Sequence, residues 1–155
     1  MTTSTRADHI ETLRIEQEIE INAGVEDVYA SLLAMLGPES EMPDGSKFPM
    51  VFEAWPGGRW YRDLGKDTGH FWGHVQVIKP PPHPKPLIEI TGPLFMSYPV
   101  ISHVQYRILP DGERCILRLT HRAMGLIDPE HAQGVHEGWS YELSKIKEKA
   151  ERVLA

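Results

Sequence analysis

Apolar and charged residues alternate from Leu13 to Ile21: Leu13, Ile15, Ile19 and Ile21 against Arg14, Glu16, Glu18 and Glu20. A period of two predicts a strand with one buried face. The period changes after Asn22-Ala23-Gly24. Val25, Val28, Tyr29, Leu32, Leu33 and Leu36 fall three or four apart, which predicts an amphipathic helix over Val25–Leu36, stopped by Gly37-Pro38. Glu39 to Phe48 is polar, carries Gly and Pro, and reads as a mobile loop with room for one helical turn. Strand-like pieces follow at Met50–Trp55, Arg59–Leu64, His70–Ile78, Leu87–Thr91, Val100–Leu109 and Glu113–Ala123. Pro56-Gly57-Gly58, Gly65–Gly69 and Pro110-Asp111-Gly112 supply turn chemistry between them. The proline-rich Lys79–Pro86 cannot pair inside a sheet, because proline lacks the N–H.

The last segment, Asp128 to Ala155, returns to helical spacing. Asp128-Pro129-Glu130 combines a capping carboxylate, a proline suited to the first helical position and an acid favoured by the helix dipole. Ala132, Val135, Trp139, Leu143, Ile146, Ala150 and Val153 then share one face, and Lys145, Lys147, Glu148, Lys149, Glu151 and Arg152 the other. At about 1.5 Å per residue this helix spans roughly 35–40 Å, the width of a small domain. The order is strand, short helix, about six further antiparallel strands, long helix. It predicts an α+β domain over residues 11–155, preceded by a polar tail over 1–10, with a sheet of six to seven strands curved around the terminal helix. One helix does not fill a concave sheet, so a cavity is expected between them.

Composition narrows the function. The 155 residues favour one domain, and 41% hydrophobic with 25% charged residues is ordinary for a soluble protein. A net charge of −6, with no basic cluster longer than two residues, argues against nucleic-acid binding. The single cysteine, Cys115, precludes an internal disulfide. The N-terminus lacks the apolar core of a signal peptide, and no apolar run is long enough to span a membrane. A cytoplasmic location is therefore the expectation.

Several short motifs fall in a meaningful order. They are Ile19–Ala23 ahead of the first helix, Trp55-Pro56-Gly57-Gly58-Arg59-Trp60, Gly73–Pro81, Leu117–His121, and Gly138-Trp139 in the last helix. Together they resemble the START-like, or SRPBCC, helix-grip superfamily, which includes the birch-pollen allergen fold. The branch they are most similar to is that of the activator of the heat-shock chaperone ATPase. The Lys79–Pro86 loop departs from that branch's short turn. The resemblance implies a helix-grip fold with a ligand cavity, but no single activity, because the superfamily holds binders, cyclases, dehydratases and co-chaperones.

Candidate ligand contacts follow from the alternation. The inward rows carry Phe71, Gly73, Val75 and Val77; Val104, Tyr106 and Ile108; and Cys115, Leu117, Leu119 and His121. Trp60, Phe95 and Trp139 join them. The aliphatic members read first as core. Gly134 and Gly138, four apart on one helix face, cost about 1 kcal/mol each relative to alanine. Either they leave room for a ligand or they admit a close strand; the sequence leaves both open. Tyr106, His121 and Arg62 are the polar groups expected to orient a small apolar or amphipathic ligand. A histidine bonded to backbone is the simpler reading of His121. If the protein is instead a cyclase- or dehydratase-like enzyme, His121 or Glu137 is the candidate acid–base group. His70 and His74 share a strand face but lie about 13 Å apart along it, too far for one ion, and no nucleophile elbow or phosphate loop is present, so no metal or other cofactor is expected. Pairing into a homodimer stays open.

Overall fold

The computed structural model describes residues 1–152. Strand β1 (Glu11–Ile21) is followed by helix α1 (Val25–Leu36), then by β2 (Val51–Phe52), β3 (Arg59–Gly65), β4 (Thr68–Lys79), β5 (Leu87–Gly92), β6 (Val100–Asp111) and β7 (Arg114–Gly125), and finally by helix α2 (Pro129–Arg152). Residues 1–10 are exposed and form no regular structure. Val153 and the expected end of the helix at Ala155 lie outside the described residues. All seven strands form one antiparallel sheet in the order β1-β7-β6-β5-β4-β3-β2. The chain therefore has the helix-grip architecture, with α2 held against the concave face.

Alternation decides which side chains face the helix. Ser102, Val104, Tyr106 and Ile108 of β6, and Cys115, Leu117, Leu119, His121 and Ala123 of β7, are all buried. Their partners across the pair match, with Val104 opposite His121 and Tyr106 opposite Leu119. From α2, Val135, Trp139, Leu143, Ile146 and Ala150 enter the same core, as the helical period requires. Asp128 starts the helix: its Oδ1 accepts the Glu130 N–H at 2.9 Å. Trp60, wholly buried, donates its indole N–H to the Leu36 carbonyl at 2.7 Å, tying β3 to the end of α1.

The helix does not lie centrally over the sheet. Polar bonds fix it along β1. Gln17 Nε2 donates to the His136 carbonyl at 3.0 Å, Lys147 Nζ to the Glu20 carbonyl at 2.8 Å, and the Asn22 N–H to Glu151 at 2.9 Å. β1 is at one edge of the sheet and β2 at the other. Seated towards β1, the helix leaves space over the β4 side.

Three expectations change in detail. The Met50–Trp55 strand shrinks to Val51–Phe52, because the Glu53 carboxylate takes the Arg59 N–H at 2.8 Å and its Nε at 2.9 Å and the chain turns. Segment 39–48 contains no helical turn; Glu41 bridges to Lys47 instead. The face assignment on β4 slips. Trp60 pairs with Gly73 but Tyr61 with Phe71, so Trp72 is the extra residue of a bulge. Its carbonyl is taken by the Leu94 N–H at 2.8 Å. Trp72 is thereby buried, and Phe71 is exposed on the other face. Among the described residues no helix is long and apolar enough to cross a membrane.

Candidate functional site

A cavity of about 430 Å³ opens between α2, segment 40–50 and the β4 side of the sheet. Its apolar wall is a run of aromatic rings. Phe48 stacks on Trp72 with centroids 6.5 Å apart. Trp72 meets Phe95 at 5.0 Å, and Phe95 meets Trp139 at 5.5 Å. Met35 and Met50 complete the lining, and the Trp72 indole N–H points at the Met50 sulfur at 3.0 Å. The helix contributes His131, Gly134, Val135, Gly138, Trp139, Tyr141 and Glu142. Segment 39–41 is tied to α2 by ion pairs, Lys149 to Glu39 at 2.7 Å and Lys145 to Glu41 at 3.8 Å.

The two helix glycines border open space. A Cβ built on Gly134 or on Gly138 meets nothing within 4 Å. No strand approaches either residue, so the missing side chains make cavity rather than packing. Gly73 is the opposite case. A Cβ there would lie 2.6 Å from the Thr91 carbonyl oxygen, so this glycine lets β4 and β5 close on each other.

Glu142, with Glu41, is one of two acidic groups in the cavity wall. It stands one turn beyond Gly138 on the same flank of α2. The Tyr106 hydroxyl donates to its Oε1. Burial pushes the Glu142 carboxyl from its ordinary 4.5 up to about 7, and the Tyr106 bond draws it partly back. The phenol itself is driven well above its usual value, by burial first and then by the neighbouring carboxylate. A carboxyl that exchanges its proton near neutrality in an apolar cleft is equipped for ion pairing or for proton transfer.

His121 sits behind this wall. It is wholly buried and does not line the cavity. The Trp139 indole donates to Nδ1 at 3.0 Å, so in the neutral ring Nε2 carries the proton, 3.1 Å from the Ser102 hydroxyl oxygen. Burial lowers its pKa to about 4. His121 is thus a neutral anchor for Trp139, bonded to side chains rather than to backbone, and is out of reach of a ligand in the cavity. Glu137, the other acid–base candidate, is exposed and accepts from Gln133 at 3.3 Å. Neither His121 nor Glu137 lines the cavity.

Of the remaining candidates, Phe95, Gly134, Gly138 and Trp139 line the cavity. Trp60, Val75, Val104 and Leu119 are buried in the core away from it, and Tyr106 reaches it only through Glu142. Phe71 is not part of it. Arg62 rests over the Phe48 ring at 3.6 Å and is not among the lining side chains. The sequence reading missed Trp72, Met35, Met50, Phe48 and Glu142. For Glu142 a signal was present: Gly134, Gly138 and Glu142 recur every four residues, one stripe of the helix.

No family model matches the chain, and no curated protein matches it significantly. Solved structures do. Norcoclaurine synthase from Thalictrum flavum, a point mutant in complex with a transition-state analogue, is 12% identical with a TM-score of 0.59, over 96% of this chain and 100% of that one. An uncharacterised protein from Rhizobium leguminosarum is 14% identical with a TM-score of 0.69, over 93% and 97%. CalU16 from Micromonospora echinospora is 14% identical with a TM-score of 0.54, over 92% and 83%. At these identities the likeness is one of fold, and it is the fold expected from the superfamily resemblance.

Proposed function

We propose that this protein binds a small, largely apolar or amphipathic molecule in the cavity between the sheet and α2. The observation that carries the reading is the aromatic cleft of about 430 Å³ into which Glu142 faces and two helix glycines withhold side chains. The volume falls within the range of about 300–1,000 Å³ common to small-molecule sites. Each ligand methylene buried there gains about 0.8 kcal/mol, so a modest apolar body suffices for measurable affinity even after ordering costs. Trp72 and Trp139 report on occupancy through their fluorescence. Titration with hydrophobic dyes and lipophilic compounds is expected to give saturable binding at one site per chain. Absence of saturation across the panel refutes the reading.

A second reading is favoured by the Glu142–Tyr106 pair. An enzyme of the cyclase or dehydratase type needs a positioned group that gives or takes a proton near neutral pH, and Glu142 is that group here. On this reading Glu142→Gln abolishes turnover while ligand still binds; turnover that survives the substitution discards it. Stimulation of a chaperone ATPase is supported by the sequence motifs alone, and no feature of the cavity calls for it.

A further inference from the structure

The cavity is charged in one sense only. Its lining includes Glu41 and Glu142 but no lysine or arginine. We propose that its ligand is an organic cation, a protonated amine on an aromatic-sized apolar body, with the ammonium group against Glu142 and the body among Phe48, Trp72, Phe95 and Trp139. This deepens the binding reading above and rests on it.

Among the described residues, Glu142 has no cationic partner in the cavity. Its Oε1 takes the Tyr106 hydroxyl, and among the described residues no donor reaches Oε2. Burial penalises its charge, and no cation offsets that penalty: the only group easing ionisation is the neutral Tyr106. The nearby cations pair with groups other than Glu142. Lys145, on the next turn of α2, lies 3.3 Å from Glu148 and 3.8 Å from Glu41. Lys149 pairs with Glu39 and Arg62 stacks on Phe48. His131 in the lining bonds through Nδ1 to the Tyr98 hydroxyl at 2.7 Å. A half-buried carboxyl with one oxygen open to the cavity and no counter-ion favours a ligand that brings one. The surrounding π-faces add to the same preference, since aromatic rings attract cations most where water is excluded. A carboxylate ligand meets the reverse situation, a like charge with no basic partner.

Three ligands with one apolar body test this: phenylbutylamine, phenylbutanol and phenylbutyrate, titrated by calorimetry into the full chain at about pH 8, where Glu142 is ionised and the amine protonated. The amine is expected to bind at least about tenfold tighter than the alcohol, and the carboxylate at least about tenfold weaker. In Glu142→Gln, with folding checked by circular dichroism, the ratio of amine to alcohol affinity falls towards one. Saturable alcohol binding with no amine preference overturns the proposal and leaves the binding reading standing. An amine preference that persists in Glu142→Gln overturns the assignment to Glu142. Failure of all three to bind removes both.

Discussion

The glycines of α2 offer a test in which stability and binding move in opposite directions. Replacing Gly134 and Gly138 with alanine removes two helix-interior glycines, each about 1 kcal/mol less favourable than alanine. Neither added methyl has a neighbour within 4 Å, so no clash offsets the gain. The double alanine variant is therefore expected to be about 2 kcal/mol more stable. For a chain of this size that is a rise of about 4–8 °C in the midpoint of thermal unfolding, followed by circular dichroism. Gly138→Leu goes further. Leucine keeps the helix gain, but its side chain projects into a cavity of about 430 Å³ where the ligand would sit. Dye affinity is expected to fall at least about tenfold without loss of stability. A destabilised double alanine variant would show that the glycines serve close packing after all. A Gly138→Leu protein that binds as well as the parent would show that the ligand lies elsewhere.

Three further outcomes follow from the buried polar groups. Glu142 and His121 give opposite pH dependences. Glu142, raised to about 7 from 4.5, is stabilising to the fold below about pH 4.5 and loses that contribution as pH rises through 7, up to about 3 kcal/mol at about 1.4 kcal/mol per pH unit. His121, lowered to about 4 from 6.5, contributes above pH 6.5 and loses a similar amount as pH falls through 4. Urea melts between these limits should show Glu142→Gln losing stability more steeply on acidification than the parent, and His121→Asn less steeply; unchanged slopes would contradict the assignments. Tyr106→Phe removes the bond that eases Glu142 ionisation, so the carboxyl, followed by carbon NMR, should titrate above about 7. Trp139→Phe strips His121 of a buried donor and is expected to cost about 1–3 kcal/mol in denaturant unfolding.

The architecture was legible because its causes are local and periodic. β1, α1 and α2 each show one period and one boundary signal, and the β6–β7 hairpin is marked by Pro110-Asp111-Gly112. The cavity was legible only in part. Gly134 and Gly138 signalled it because glycine is costly in a helix, whereas Phe71 misled. Strict alternation along β4 put Phe71 inside, but the bulge at Trp72 shifts the phase by one residue, and nothing in the alternation marks where a bulge falls. His121 lies on the inward row as expected, yet the indole that occupies its Nδ1 belongs to Trp139, 18 residues further along the chain in α2. Such a pairing depends on how α2 lies across the sheet, which no local pattern records.

The proposed ligand lies between α2 and the β4 side of the sheet. Nuclear Overhauser contacts between a bound probe and the protein test it most directly. Contacts are expected from the probe to the rings of Trp72, Phe95 and Trp139 and to the Gly138 α-protons. Contacts instead to the exposed Phe71, Leu64 or Trp55 would contradict it.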